Sequence, residues 1–456
     1  MKKVSSRARL MLVLAGAVVL GLVVFLVRYA VHAQEWVVFP GSPHVYAGGN
    51  LATGRVVDRN GTVLLQNTEQ GRVYTQDEAL RTASLHLLGD REGYVQSGVL
   101  NAYTQEMIGY SKLRGLYHLS QSGNTLALTL DAEVQKAAYA ALGDHRGVVG
   151  VYNYKTGEIL CMVSAPAYDP AARPEIDETD PAWSGVYVNR FLGSAYVPGS
   201  IFKLVTLCAA LETIPEAEDL VFTCAGSLNI QGDDITCHSV HGTLSLAQAL
   251  AGSCNSAFGE LSARMGAQTL QAMAEAFGIS GSLTVDGVET APGHFDLSQA
   301  ALSQVAWAGI GQYTDTVNPC QYLTVLGAIA GGGRAARPYV VSSVKTALGK
   351  GVYRAEPTLL DPVISPETAQ TAADYMQAAV ETVYGADNFG GLTVCAKSGT
   401  AEVGGGEAAN AMFVGFVRDE SCPVAFFIAV ENGGSGAAVC VPIASRVLAA
   451  CQQALG

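Results

Sequence analysis

The chain reads YVPGSIFKLV from Tyr196 to Val205, and this stretch decides how the rest of the sequence is interpreted. Pro198-Gly199 is a turn signal, and the apolar residues after it indicate the start of a buried helix. Residues three positions apart lie on the same face of a helix, so the amine of Lys203 is expected one turn from the hydroxyl of Ser200.

A serine hydroxyl becomes a nucleophile when a base within hydrogen-bond reach takes its proton. A lysine can be that base where burial and neighbouring positive charge lower its pKa. The same spacing occurs at Ser342 and Lys345, but residues 339–345 have the pattern of a strand, which would not place the pair one helical turn apart. Ser200 and Lys203 are therefore the predicted nucleophile and base, and backbone N–H groups at the helix start can meet a developing oxyanion.

Two short motifs follow Ser200 in the chain. Ser253-Cys254-Asn255 lies between two helical stretches, in a turn that can aim both polar side chains at a cleft. Lys397-Ser398-Gly399-Thr400 lies within a predicted strand, where the lysine and two hydroxyls can hold a carboxylate and the glycine permits close backbone approach. A competing copy of the first pattern begins at Ser122, but it precedes Ser200 and has turn-like sequence. The ordered set predicts one catalytic cleft.

The pattern around these motifs predicts an α/β (α+β) fold. A helix is expected over 131–142, strands over 147–154, 158–163, 392–403, 411–417 and 424–430, and a closing helix over 443–455. Residues 200–390 are mostly Ala- and Leu-rich helical stretches broken by glycine. Strands at both ends of this segment indicate one sheet built from distant parts of the chain, with an inserted all-helical subdomain.

The amino terminus carries 18 uncharged, almost wholly apolar positions over residues 10–27, which as a helix cover about 27 Å, close to the hydrocarbon thickness of a bilayer. Basic residues precede this segment and should keep residues 1–9 in the cytoplasm. A cleaved signal peptide with its site at 31–33 is the alternative, but signal peptides have shorter apolar cores of about 7–15 residues. We predict a single-pass anchor and an extracytoplasmic body, in which a small β-rich pedestal (28–130) precedes the catalytic domain (131–456).

The composition narrows the function further. The chain has 456 residues, of which 49% are hydrophobic and 15% charged, so it can form large cores and is not expected to be disordered. The net charge of −13 argues against a nucleic-acid partner, because phosphate contacts require a surplus of lysine and arginine.

Most of the ten cysteines lie in apolar runs, where a small buried side chain is expected. Cys224 and Cys237 differ, because they flank a turn signal at 232–234 and would face each other across a hairpin. A disulfide between them is one alternative in an oxidising compartment. Cys237, His238 and His241 are residue types that bind zinc, but their spacing fits no familiar structural zinc site. No metal and no cofactor are therefore predicted.

These motifs resemble those of the penicillin-binding transpeptidases, and the single amino-terminal anchor resembles that of class B members. The resemblance covers most of the chain and includes the segments 54–64, 128–131, 156–158, 165–170, 189–190, 196–200, 309–312, 317–319 and 413–416. It implies an antiparallel-sheet transpeptidase domain with flanking helices. It further implies a peptidoglycan D,D-transpeptidase that acts on stem peptides, is acylated by β-lactam antibiotics and works with a separate membrane glycan polymerase.

The resemblance also implies a role for each motif residue. The residues with catalytic roles would be Ser200, Lys203, Ser253, Asn255 and Lys397. Ser200 would be acylated, Lys203 would be its base and Ser253 would relay a proton to the leaving group. Asn255 would bind the substrate amide, and Lys397 would supply positive potential. Substrate would bind along Ser398, Gly399 and Thr400 as an added strand, with an oxyanion hole formed by the N–H groups of Ser200 and Thr400.

Two segments depart from the family pattern. Asn318-Pro319 stands where Thr-Pro is usual, and residues 383–386 replace a Gly-Thr-Gly-like stretch. Both concern the shape of the cleft rather than the nucleophile. A D,D-carboxypeptidase, a serine β-lactamase or penicillin sensor, and a catalytically silent scaffold of a wall-synthesis complex remain the alternatives.

Overall fold

The computed structural model describes residues 2–39, 42, 45–47, 50–110, 115 and 123–456, so Ser122 lies outside the described residues. The strands are β1 (Tyr46–Ala47), β2 (Asn50–Leu51), β3 (Arg55–Val57), β4 (Val63–Thr68), β5 (Gly71–Tyr74), β6 (Thr125–Leu128), β7 (Gly147–Asn153), β8 (Ile159–Ala165), β9 (Val221–Cys224), β10 (Ser227–Ile230), β11 (Asp233–Thr236), β12 (Gly242–Ser245), β13 (Thr284–Val285), β14 (Val288–Glu289), β15 (Val341–Lys345), β16 (Gly351–Arg354), β17 (Val394–Ala401), β18 (Asn410–Val417) and β19 (Val424–Val430).

The α-helices are α1 (Lys2–Val37), α2 (Glu78–Ala83), α3 (Leu85–Leu88), α4 (Gly98–Ala102), α5 (Thr104–Ile108), α6 (Ala132–Leu142), α7 (Arg190–Gly193), α8 (Lys203–Thr213), α9 (Leu246–Ala251), α10 (Asn255–Ala276), α11 (Leu302–Ala308), α12 (Pro319–Ala330), α13 (Pro366–Ala379) and α14 (Gly436–Leu455). Short 3₁₀ segments span Pro181–Trp183, Gly199–Phe202, Ala217–Asp219 and Ala386–Phe389, and a π-helical turn spans Val380–Tyr384.

The central sheet joins strands from both ends of the body, as the sequence predicts. Its order is β17-β18-β19-β7-β8, and every neighbouring pair is antiparallel. Val424, Phe426 and Ile428 of β19 face one buried layer, which includes side chains of α6 and α14. The alternate residues of β19 face a second layer, which includes α8 and α12. Because both faces are covered, every residue of β19 is buried, and β17 remains at one edge.

The segment between β8 and β17 is mostly helical, but the expectation of an all-helical insert is wrong in detail. Strands β9 and β12 pair antiparallel, and so do β10 and β11. These strands are only four residues long, which is why the helical stretches around them dominate the sequence pattern.

A second sheet lies on the amino-terminal side, with the order β16-β15-β6-β3-β4-β5. Strands β3 and β4 of this sheet pair antiparallel as a hairpin. Two strands of this sheet, β15 and β16, come from residues far along the chain, which the sequence reading did not place there. Helix α1 precedes the sheet, and the most apolar 18-residue window of its segment Val4–Ala33 has a mean hydropathy of 3.1, which fits a membrane anchor.

Asn318 explains one departure from the family pattern. Its side chain is fully buried, and its Oδ1 accepts the N–H of Gln321 at 3.0 Å, which caps α12. Its Nδ2 donates to the carbonyl oxygen of Ser194 at 2.8 Å, just before the Ser200 turn. A threonine hydroxyl could cap α12, but threonine has no side-chain amide N–H that could donate to the Ser194 carbonyl.

We expect Asn318→Thr to lose about 1–3 kcal/mol of unfolding free energy, because the carbonyls of Leu192 and Ser194 both lose their side-chain donor. Asn318→Ala should lose roughly a further 1 kcal/mol, since the helix cap disappears as well. Urea unfolding of the full-length protein in detergent micelles measures both. Equal stability of Asn318→Thr and the wild-type protein would contradict this account.

The turn before Ser200 depends on a close approach of two glycines. The N–H of Gly199 donates to the carbonyl of Gly311 at 2.9 Å, and a Cβ on Gly311 would lie 2.2 Å from the carbonyl oxygen of Gly199. Gly311 also has a φ of +77°, a backbone conformation that favours glycine.

Gly311→Ala tests this close approach. Gly332→Ala is its matched control, because Gly332 has a φ of +69° but open space around it. This control should lower the melting temperature by only roughly 2–4 °C, the effect of about 1 kcal/mol of backbone strain. Gly311→Ala carries the same strain plus the clash, so we expect at least about twice that shift. Thermal unfolding followed by circular dichroism checks this, and equal shifts for the two variants would show that the clash is absent.

Candidate active site

Ser200 and Lys203 lie at the junction between the 3₁₀ turn Gly199–Phe202 and α8. Lys203 Nζ is 2.9 Å from Ser200 Oγ, so the predicted contact between them is present. Ser200 is half-buried, whereas the Lys203 side chain is completely buried. The hydroxyl can therefore meet a ligand while the amine behind it is shielded from water.

The segment that leads into this turn is fixed to the central sheet. The buried Arg190 donates from Nε to Glu431 at 2.7 Å, and the hydroxyl of Tyr196 lies 3.2 Å from the same carboxylate. Glu431 directly follows β19, so this network ties the approach to Ser200 to the end of a core strand.

The amine of Lys203 has contacts to the Ser253 loop as well. Its Nζ lies 2.8 Å from the carbonyl oxygen of Ser253, 3.1 Å from Ser253 Oγ and 2.7 Å from Asn255 Oδ1. Burial and the nearby charge of Lys397 hold the pKa of Lys203 well below the usual value for lysine.

The loop between α9 and α10 presents Ser253 and Asn255 to this amine. Ser253 has a φ of +54°, an uncommon conformation for a residue with a side chain. Asn255 Nδ2 donates to the carbonyl of Thr236 at 2.7 Å, and this contact orients Oδ1 toward Lys203. The turn predicted between two helices is confirmed.

Strand β17 brings the third motif to the same place. Lys397 Nζ donates to Ser253 Oγ at 3.0 Å and to the carbonyl of Ser398 at 2.7 Å. Burial lowers the pKa of Lys397 to about 7. Ser253 Oγ therefore lies between two buried amines, and the three predicted motifs form one groove.

Tyr384 is a site residue that the sequence reading missed. Its hydroxyl lies 3.0 Å from Ser398 Oγ and accepts the backbone N–H of Ser398 at 3.0 Å. The residue ends the π-helical turn Val380–Tyr384 and belongs to the segment 383–386, the second one that departs from the family pattern. Only the unusual residue type at this position could have drawn attention to it.

The outer edge of β17 is open at Thr400, whereas the N–H of Ser398 is bonded to Tyr384. The N–H of Ser398 points away from β18, toward Tyr384. The N–H of Thr400 points the same way, because the direction of the backbone N–H groups repeats every two residues along a strand. Thr400 is exposed, and its Oγ1 accepts the N–H of Gly436 at 3.2 Å. Gly399 lies against the Ser200 turn, where a Cβ would be 3.0 Å from the side chain of Ile201.

The competing Ser342 lies on β15 in the second sheet, where its hydroxyl donates to the carbonyl of Ala127 at 2.9 Å.

Cys224 and Cys237 face each other as expected, but their sulfur atoms are 3.6 Å apart and unbonded. They lie together with His241 and Cys254 rather than as an isolated pair.

Comparisons with known proteins agree with this geometry. Residues 147–449 match the family model for the penicillin binding protein transpeptidase domain, which is about two thirds of the chain. Over 387 residues the chain is 30% identical to the peptidoglycan D,D-transpeptidase PbpA of Mycolicibacterium smegmatis, and the match covers 78% of each protein.

Solved structures show the same likeness. The D,D-transpeptidase domain of a peptidoglycan glycosyltransferase from Eggerthella lenta has a TM-score of 0.77 and 30% identity, covering 89% of this chain and 99% of that one. Penicillin-binding protein A of M. tuberculosis, solved as a ceftriaxone acyl-enzyme complex, shares the fold with a TM-score of 0.77 at 24% identity, covering 90% and 99%. The chain therefore belongs to the class B penicillin-binding proteins, whose transpeptidase domain is a serine acyltransferase acting on peptidoglycan.

Proposed function

We propose that this protein crosslinks peptidoglycan stem peptides through an acyl-enzyme on Ser200, with Lys203 as the general base. The observation that supports this most directly is the single buried amine that contacts Ser200, Ser253 and Asn255 within 3.1 Å. A hydroxyl, a base and a proton relay are then preassembled before any substrate arrives.

The hydrogen-bond partners of Lys203 suit a neutral amine. A neutral amine has two N–H donors and one lone pair. The carbonyl of Ser253 and Oδ1 of Asn255 can only accept, so they take the two donors. The lone pair is then left for a hydroxyl, and Ser200 Oγ at 2.9 Å is the nearer one. Lys203 can accept the Ser200 proton as the oxygen attacks.

Ser253 supports the next proton transfer. Ser200 attacks the carbonyl carbon of the penultimate D-Ala, and the peptide C–N bond breaks to release the terminal D-Ala. The leaving amine needs one proton, which the protonated Lys203 can deliver through Ser253 Oγ at 3.1 Å. The ester on Ser200 is then attacked by an amine of a neighbouring stem peptide, which restores the Ser200 hydroxyl.

The edge of β17 supports a role in binding the substrate peptide. An extended peptide can pair with this free edge as an added strand. Its terminal carboxylate would meet the hydroxyls of Ser398 and Thr400 and the positive potential of Lys397. The N–H groups of Ser200 and Thr400 would form the oxyanion hole.

We further propose that residues 1–9 are cytoplasmic, 10–27 cross the membrane, 28–130 form a pedestal and 131–456 form the transpeptidase domain. The apolar segment Val4–Ala33 and the basic residues near its start support this topology. Strands β15 and β16 would then extend from the catalytic domain into the pedestal sheet. A membrane glycan polymerase would supply the strands to be crosslinked.

Ser200→Ala should abolish the covalent penicillin adduct, because the Ser200 hydroxyl is the one nearer to the Lys203 amine, at 2.9 Å against 3.1 Å for Ser253 Oγ. Ser342→Ala, the other serine with the same spacing to a lysine, should form the adduct at the wild-type rate. Intact-protein mass spectrometry after incubation with penicillin G measures both. An adduct on Ser200→Ala would refute the assignment of the nucleophile, and rapid loss of the wild-type adduct would favour a β-lactamase.

The rate of penicillin acylation should have a bell-shaped dependence on pH. It should fall at low pH, because a protonated Lys203 cannot accept a proton. It should also fall above about pH 7, where the pKa of Lys397 lies and its charge is lost. Acylation assays quenched at set times, run from about pH 5 to about pH 9, measure both limbs of the rate profile.

Lys397→Arg is the matched variant for this profile, because arginine keeps its charge throughout this range. Its alkaline limb should move to higher pH while its acid limb stays in place. Circular dichroism checks that the variant is folded. An unchanged alkaline limb in folded Lys397→Arg would show that Lys397 does not produce it.

A further inference from the structure

Three thiols and an imidazole meet directly behind the Ser253 loop. The cluster consists of Cys224 at the end of β9, Cys237 after β11, His241 before β12 and Cys254 at the start of α10. The four candidate ligand atoms all lie within 4.8 Å of one another. Twelve, three and twelve residues lie between consecutive members of the cluster, so the fold rather than a short sequence motif brings them together.

The distances in this cluster fit a tetrahedron around one ion. In a site with Zn–S bonds of about 2.3 Å, neighbouring sulfur atoms are about 3.8 Å apart. The sulfur of Cys237 is 3.6 Å from that of Cys224 and 3.8 Å from that of Cys254, and Cys224 Sγ is 3.4 Å from His241 Nδ1. A disulfide would instead require about 2.05 Å between two sulfurs and would leave the third thiol without a partner.

We propose that Cys224, Cys237, His241 and Cys254 bind one structural Zn²⁺. Three sulfurs and one nitrogen in tetrahedral arrangement are a ligand set that zinc prefers, and four protein ligands close the site to water. Binding releases the three thiol protons to solvent, so the occupied site carries a net charge of −1 with a neutral histidine. His238 takes no part, although the sequence had suggested it together with Cys237 and His241.

Groups around the cluster are arranged as in a metal site. The backbone N–H of Ser256 donates to Cys237 Sγ at 3.2 Å, and that of Ala257 donates to Cys254 Sγ at 3.4 Å. His241 Nε2, on the far side of the ring, lies 3.4 Å from Ser239 Oγ. Such contacts fix the orientation of zinc ligands and stabilise thiolate sulfur.

The ion would fix the catalytic loop from behind, and this part of the inference rests on the proposed roles of Ser253 and Asn255. Cys254 stands between these two residues, so a metal bond at Cys254 fixes the loop at its centre. Cys237 follows Thr236, whose carbonyl orients Asn255. Two-stranded ladders such as those around the cluster are only marginally stable alone, so a bound metal would stabilise them. Cys254 is therefore a positioning residue.

The direct test measures metal in the full-length protein purified in detergent without chelators. Mass spectrometry of the digested protein should find about one zinc per chain, and X-ray absorption should show three sulfur neighbours at about 2.3 Å and one nitrogen at about 2.0 Å. Cys422→Ala, a buried cysteine outside the cluster, should keep the zinc. His241→Ala should lose it, and His241→Cys should retain it because a fourth thiolate replaces the imidazole. His241→Cys keeps the test valid if His241→Ala does not fold.

A second readout concerns the catalytic loop. Removing zinc with a chelator should slow penicillin acylation by roughly tenfold or more, and added Zn²⁺ should restore the rate. Ser200→Ala should still contain about one zinc. The zinc content therefore tests the metal site even if the assignment of Ser200 as the nucleophile is wrong. Wild-type protein without zinc, or a Cys224–Cys237 disulfide found by peptide mapping without reductant, would overturn the inference.

Discussion

The structure depends on the complete burial of one amine. A charged ammonium without water is costly, so the folded protein favours the neutral form of Lys203. A second buried amine, Lys397, strengthens this preference from the other side of Ser253. These contacts together hold the amine of Lys203 against the hydroxyl of Ser200.

The fold supplies these contacts from three distant segments. The central sheet is covered on both faces, which gives β17 a rigid position while its outer edge stays open. The insert places the Ser253 loop opposite that strand, and the contact between Gly199 and Gly311 fixes the turn that carries Ser200. The Cys224 cluster continues this arrangement behind the Ser253 loop.

Local patterns in the sequence predicted much of this site. The spacing of Ser200 and Lys203 follows from helix geometry, and the order of the later motifs identified Ser253, Asn255 and Lys397 as their partners. Contacts between distant segments could not be predicted in the same way. Tyr384 approaches Ser398 through a π-helical turn, and Cys254 joins Cys224 only because two short ladders fold beneath α10. The addition of β15 to the second sheet is equally a product of topology rather than of local pattern.

The central claim is that burial and the nearby Lys397 hold the pKa of the Lys203 amine well below the usual value for lysine, and nuclear magnetic resonance can test it directly. The chain has only nine lysines, so the Cε signals of ¹³C-labelled lysine can be followed individually as the pH changes. The account predicts two signals that titrate far below the ordinary lysine value of about 10.4, and one of these two should be missing in Lys203→Met. Nine signals that all titrate near the ordinary value would contradict it.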